Sequence, residues 1–326
     1  MAGAASALSR ARGDGVVVTL DGSRWVVFAA FDADGRAAPH AVAQLAEYRS
    51  LGFETLVVDT SPTLSAQREA DWRSSATDWL QRPNVGYDFV SYRTGLETLV
   101  ERKGVEIDRL ALILANDSCF GPFIPLRGVL EGFDALPLDR PRLFGITENH
   151  EIRRHLQSYW LYMRPDVTPL VFAFLRAMPV PNDRAEAIAF GELALSDHLL
   201  AHGCELHAHL AARDVLERFA RFRGYLPSLA EFGVRRLMNR PKYSRRADTA
   251  CLKHLLGRAD ALLVNPTLDF GVNLLRAGCS PFVKKELLRD NPHRDPHIPA
   301  GLDVATLRNA DVERLLGSRA PRFDTV

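Results

Sequence analysis

A run of six apolar residues, Leu110 to Ala115, is the feature that most narrows the folds open to this chain. It has the length of a strand, is built from Leu, Ile and Ala, and shows no polar alternation. A strand of that kind is buried on both faces, as in a parallel sheet covered by helices on both sides. The run stops at Asn116-Asp117-Ser118, three small residues with oxygen-bearing side chains. Ligands of open α/β sheets bind beyond the carboxyl ends of the strands, so this tripeptide stands where a site would be. Two readings of it stay open. An Asp beside Asn and Ser suits a hard cation, Mg²⁺ or Mn²⁺, held against a phosphate. The same three residues also make ordinary Asx-type turns.

The rest of the chain extends the α/β pattern. Val16–Leu20 and Trp25–Phe31 are β-like runs around Asp21-Gly22, a hairpin signal. Residues 39–51 have helical periodicity with Pro at the start, and 54–59 supplies the next strand, giving a right-handed βαβ unit. Residues 61–83 are polar and show no clear period. A loop over 84–88 leads into a helix over 89–102, followed by the central strand, a helix over 126–133 and a strand over 143–147. Residues 155–163 alternate as one aromatic strand. Helices are expected over 168–177 and 184–202, a small strand over 206–210, a basic helical stretch over 213–239 interrupted by Gly224 and Pro227, a basic loop over 240–246, a helix over 247–262, and a short helix or turn over 281–290. The expected class is therefore α/β, a mostly parallel sheet flanked by helices with a more helical C-terminal part.

With 326 residues, 47% hydrophobic and 25% charged, the chain can bury a sizeable core. A formal net charge of +1 gives no argument for a nucleic-acid partner. The cysteines at 119, 204, 251 and 279 lack metal-ligand spacing and read as reduced thiols of a cytoplasmic protein. No segment approaches the ~20 apolar residues of a membrane span, and the N-terminus lacks a signal-peptide core. Residues 1–14 and 293–326 are expected to be tails around one domain over 15–292.

Several polar groupings carry both a functional and a plain structural reading. Asp32-Ala33-Asp34 is a literal Asp-x-Asp, but Gly35 follows directly and a turn explains it. Asn84, Gly86 and Asp88 could meet a ribose or base, or Asp88 could cap the helix that follows. Glu148 to Glu151 with His155, Gln157 and Tyr159 form the densest mixture of polar and aromatic residues, which suits a carbohydrate or an edge strand. Glu192 falls on the apolar side of its helix and Asp197 on the wetter side, so Glu192 is either a general base or a favourable charge near the helix start. His207 and His209 share a strand face without further ligands, too few for a metal. Arg235, Arg236, Arg240, Lys242, Arg245 and Arg246 cluster in an otherwise balanced chain, as a solvated helix face or as a patch for anionic lipid.

Four ordered blocks together resemble the rhamnan synthesis protein F family: residues 82–89 (RPNVGYDF), 114–123 (LANDSCFGPF), 155–159 (HLQSY) and 284–292 (KKELLRDNP). Phe31 to Arg36 and Asn265-Pro266-Thr267 fit as well, and the similarity runs over about residues 25–292. The resemblance implies a glycosyltransferase of bacterial surface-polysaccharide assembly with a GT-A-like fold; the thiols place it in the cytoplasm, and the basic cluster would set it against the inner membrane face. It would use a dTDP- or UDP-linked donor, L-rhamnose among the sugars, and a glycan or lipid-linked acceptor. On that basis Asn84, Gly86, Asp88 and Asn116 would bind the nucleotide, within a part spanning about 25–150. His155, Gln157, Ser158 and Tyr159 would line the sugar or acceptor side, within 151–292. Glu192 would be the catalytic base, and Asp117 with Ser118 would hold Mg²⁺ or Mn²⁺. Because one carboxylate stands where such enzymes carry Asp-x-Asp, a non-catalytic subunit binding nucleotide-sugar or glycan is the alternative.

Overall fold

The computed structural model describes residues 22–36, 39–215, 265–269 and 271–290. The first β-like run, both expected tails, the expected helical stretch over 213–239 from residue 216 on and the helix over 247–262, Cys251 and the basic cluster at Arg235 to Arg246 lie outside the described residues.

Eight strands make one mixed, mostly parallel sheet. β1 (Arg24–Ala30) is parallel to β2 (Glu54–Asp59), and β2 to β3 (Asp78–Gln81), while β4 (Ala111–Asn116) lines the other edge of β1, also parallel. The short β5 (Cys119–Phe120) leaves this sheet. β6 (Arg142–Asn149) carries β7 (His155–Leu156) at its end, and β8 (Trp160–Met163) inserts antiparallel between β4 and β6. β9 (Glu205–Leu210) runs parallel to β6 on its far side. β10 (Val283–Lys284) pairs antiparallel with β5 in a separate two-stranded sheet.

Period-two alternation divides each strand between two helix layers. Val26, Phe28 and Ala30 of β1 face a core shared with Leu45 and Tyr48 of α1 (Pro39–Ser50), Trp72 of α2 (Ala66–Ser75) and Leu126 to Phe133 of α4 (Leu126–Asp134). Trp25, Val27 and Ala29 face the opposite core, with Phe89, Tyr92 and Leu96 of α3 (Tyr87–Glu97) and residues of α5 (Thr168–Ala177) and α7 (Ala194–Ala201). The Leu110–Ala115 run is buried throughout, as its unbroken apolar character requires. The expected α/β layering is therefore present.

Three expectations change. Both edges of β1 are occupied, by β2 and β4, so Trp25 to Ala30 is no hairpin arm: no free edge is left for a preceding strand. Residues 61–83 contain α2 and β3. The inward face of α2 is Arg68, Trp72 and Ser75, so hydropathy alone gives no period to read. Residues 155–163 form two strands, split at 157–159, the first paired with β6 and the second with both β4 and β6. Every one of these nine residues is buried, so the residue types alternate but their environment does not. Strands from 25–150 and from 151–292 share the one sheet. Cys119, Cys204 and Cys279 are buried free thiols.

Candidate active site

The carboxyl ends of β1, β2 and β4 point to one edge, and the register brings the start of β8 and the end of β6 to the same edge. Asn116 closes β4 there. Its Oδ1 accepts from the Ser118 backbone N–H at 3.0 Å and from the Ser118 hydroxyl at 2.5 Å, while its Nδ2 donates to Asp88 Oδ2 at 2.7 Å. The turn reading and the site reading of Asn-Asp-Ser are thus both realised, by different atoms of one side chain.

Asp88 lies in the first turn of α3, after a tightly held loop. Gly86 (φ 78°) and Tyr87 (φ 58°) are consecutive left-handed residues, a conformation costly for a tyrosine. Arg82 holds them in place. Its Nη1 donates to the carbonyls of Pro83 (2.9 Å) and Val85 (2.7 Å), and its Nη2 to the Tyr87 carbonyl and Ser91 Oγ (both 2.8 Å). Asn84 and Tyr87 remain exposed on this loop. Because a planar five-donor fork makes these bonds, Arg82→Lys should restore little of what Arg82→Ala removes. Hydrogen exchange over 83–88 should speed up in both variants; unchanged protection would show that the clamp does not shape the loop.

Glu192 sits in a π-helical stretch (Ala187–Leu193) leading into α7, the kind of helical irregularity that recurs at functional sites. Glu192 is half-buried toward the site, and Asp197 is exposed and paired with Arg153. Glu192 Oε1 accepts from the Ser158 N–H (2.9 Å) and hydroxyl (2.7 Å). Its Oε2 lies 3.5 Å from His155 Nε2, and His155 Nδ1 meets the Arg153 carbonyl at 2.8 Å. Burial raises the Glu192 carboxyl, but His155, the charge of Lys284 and the Ser158 amide overcome this and hold it down at about 2. Asp88 behaves oppositely. Burial, with the charges of Asp117 and Glu192, pushes it up to about 7 against the pull of Asn116 and Arg82.

Asp88, Asn116, Asp117, Ser118, Ser158, His155 and Glu192 are therefore brought to one corner, with Asn84 and Gly86 on the loop beside it. Gln157 and Tyr159 are buried one layer away. Thr147 Oγ1 meets Gln157 Oε1 at 2.7 Å, the Tyr159 hydroxyl at 2.9 Å and Thr267 Oγ1 at 2.8 Å. Asn265 donates to Glu151 at 3.2 Å, so the late Asn-Pro-Thr block docks on the end of β6. Glu148 is held at about 2: His150, Arg154 and the Ala212 N–H outweigh the upward push of burial. His207 and His209 pack edge-on against Phe133. Asp32 and Asp34 lie in a turn, where Asp32 Oδ1 accepts from the backbone of Asp34 and Arg36. The Cys119 thiol, pushed up to about 12 by burial, is no nucleophile.

Asp117 and Ser118, the two residues expected to hold Mg²⁺ or Mn²⁺, both have protein partners. Asp117 Oδ2 accepts from the Phe31 N–H at 3.3 Å and lies 3.4 Å from Lys285 Nζ, while the Ser118 hydroxyl donates to Asn116. Among the described residues, no group of three or more His, Cys, Asp or Glu could hold a metal ion. Lys284, Lys285 and Arg82 are the site residues that sequence reasoning left without a role. All three stand inside the blocks 82–89 and 284–292, which was the available signal.

Residues 56–224 match the family model described as rhamnan synthesis protein F. The virulence protein VirA of Vibrio anguillarum is 28% identical over 253 residues, covering 74% of this chain and 72% of that protein. The uncharacterized protein y4gN of Sinorhizobium fredii is 28% identical over 146 residues, covering 43% of this chain and 37% of that protein. Among solved structures, TarS 1-349 of S. aureus superposes with a TM-score of 0.36 at 12% identity, over 90% of this chain and 83% of that one. The galactosyltransferase LgtC, in complex with donor and acceptor sugar analogues, gives 0.28 at 11% identity, over 56% and 72%. The family match spans more than half of the chain, and the protein belongs to the rhamnan synthesis protein F family.

Proposed function

We propose that the protein is a glycosyltransferase of bacterial polysaccharide synthesis with a GT-A-like plan. It moves a sugar from a dTDP- or UDP-linked donor to a growing or lipid-linked glycan, and L-rhamnose is the sugar that the family's description suggests. One observation carries this reading: blocks separated by up to two hundred residues of sequence converge at the carboxyl edge of the sheet. There they place carboxylates of unlike charge state beside two lysines. Pairs of titratable groups driven apart in pKa are the pattern of acid–base sites.

Transfer requires the acceptor hydroxyl to lose its proton as its oxygen attacks the anomeric carbon. A carboxyl near 7 suits that exchange at neutral pH far better than one near 2. We therefore assign the proton acceptor to Asp88, whose Oδ1 has no hydrogen-bond partner among the described residues. Glu192, the base expected from sequence, is given the task of fixing Ser158 and His155 instead. Gln157 and Tyr159 support that wall from beneath, and the loop from Asn84 to Tyr87 borders the nucleotide. Peripheral attachment to the inner membrane face through Arg235 to Arg246 belongs to the same proposal. No described helix is long and apolar enough to cross a membrane. Acceptor-dependent turnover of a nucleotide-sugar by the purified protein tests the reading.

A further inference from the structure

Two lysines answer the carboxylates of the site. Lys285 Nζ stands 3.4 Å from Asp117 Oδ2, with its side chain 17% exposed and its ammonium 5.9 Å from the centre of the Phe120 ring. Lys284 is half-buried, and its charge is among those that hold Glu192 ionised. Both arrive from far along the chain, yet the backbone fixes them against the turn after β4. Lys284 pairs with Cys119 in the β5–β10 ladder, and the Lys285 N–H donates to the Ser118 carbonyl at 2.9 Å. Gly121 (φ 133°) permits this contact, because a Cβ there would run into the Pro281 carbonyl oxygen.

A largely buried ammonium, that of Lys285, beside a single carboxylate keeps donors for a further anion, and Lys284 directly precedes it in the chain. An ammonium has three N–H donors, and Asp117 can accept from only one or two of those on Lys285. The rest, and those of half-buried Lys284, are open to water or to an anion. We infer that Lys284 and Lys285 hold the diphosphate of the nucleotide-sugar donor, supplying at Asp117 the positive charge that a divalent ion would otherwise provide. Asp117 is then a positioning residue that orients Lys285. This rests on the transferase reading above. During transfer the bond between the anomeric carbon and the β-phosphate oxygen breaks, and its electron pair stays on that oxygen. The acceptor oxygen bonds the anomeric carbon, its proton passes to Asp88, and the lysines offset the charge gained by the departing diphosphate.

The test is calorimetric titration of UDP and dTDP, and of uridine and thymidine, into the full-length protein in EDTA. The wild type should prefer one diphosphate over its nucleoside without any metal. The double variant Lys284→Met/Lys285→Met should lose about tenfold to a hundredfold of diphosphate affinity, the usual worth of charged hydrogen bonds, while nucleoside affinity stays unchanged. Lys285→Arg should retain most of the preference. If the double variant does not fold, the single Lys→Gln variants carry the same comparison. A diphosphate preference that needs Mg²⁺ or Mn²⁺, or one that survives loss of both lysines, overturns the inference and leaves the transferase reading standing. A wild type that binds neither nucleotide overturns both.

Discussion

Asp88→Asn should lower the turnover number by about 10² to 10⁴, the span that a positioned general base contributes. The substitution is nearly isosteric and can keep an oxygen facing Asn116 Nδ2, so nucleotide affinity should change little. The wild-type rate should rise with pH to a plateau above about 7, where Asp88 is ionised, and that limb should vanish in the variant. Stability gives a second readout. Asp88 holds its proton in the folded protein up to about 7, whereas the unfolded chain releases it near the ordinary 3.8. The folded state therefore binds more protons across that window, and the group costs stability increasingly as pH rises through it. Asp88→Asn should remove this cost and raise the melting temperature at pH 8. Glu192 acts in the opposite sense: held at about 2, it stabilises the fold above the ordinary 4.5, a contribution lost as pH falls toward 2. An Asp88→Asn enzyme with a wild-type rate and pH profile would remove Asp88 from the chemistry.

Asp59→Ala should be the most destabilising single change, by about 3–5 kcal/mol, because it strands a buried guanidinium. Asp59 ends β2 beneath the site, and its side chain, like that of Arg68, is fully buried. Its Oδ2 accepts from Arg68 Nε (2.6 Å) and Trp72 Nε1 (2.7 Å), and its Oδ1 from the Ser61 N–H (2.7 Å). Arg68 Nη1 also donates to the Arg36 carbonyl, and Ser61 Oγ accepts from the Asp32 N–H, so the pair tethers the turn after β1 to α2. A loss of that size consumes much of the ~5–15 kcal/mol that keeps a domain folded. Thermal or urea unfolding measures it directly. The double variant Asp59→Leu/Arg68→Met should recover most of the loss, since apolar groups of similar volume leave no charge unpaired. Asp59→Ala melting within a degree of wild type would contradict the assignment.

That ion pair also marks where sequence reasoning reached its limit. The strands at 54–59 and 110–115 announce themselves because burial on both faces demands continuous apolar residues. The segment carrying Arg68 and Trp72 hides a core-facing helix behind polar residue types, because its buried face is satisfied by a charge pair rather than by area. The candidate site is legible only in pieces: Asp88, Asn116 and Asp117 stand at a helix start or strand end that the spacing indicates, whereas Ser158 falls inside what reads as one strand and enters only through the family blocks. What joins them is tertiary. The β5–β10 pairing that delivers Lys284 and Lys285 closes more than 150 residues of chain. The Arg82 clamp depends on two left-handed residues in succession. Charge state is equally invisible in one dimension. Asp88 and Glu192 are both carboxylates after plausible signals, and only their neighbours decide which one is poised near neutrality.

The most direct test of the central claim is donor turnover by purified protein. Release of nucleoside diphosphate from dTDP-, UDP- and GDP-linked sugars would be followed with and without lipid-linked oligosaccharide acceptors. The account predicts release from one nucleotide class, stimulated by acceptor and lost in Asp88→Asn. Tight nucleotide-sugar binding with no turnover under any of these conditions would contradict it and would make the protein a non-catalytic binding subunit.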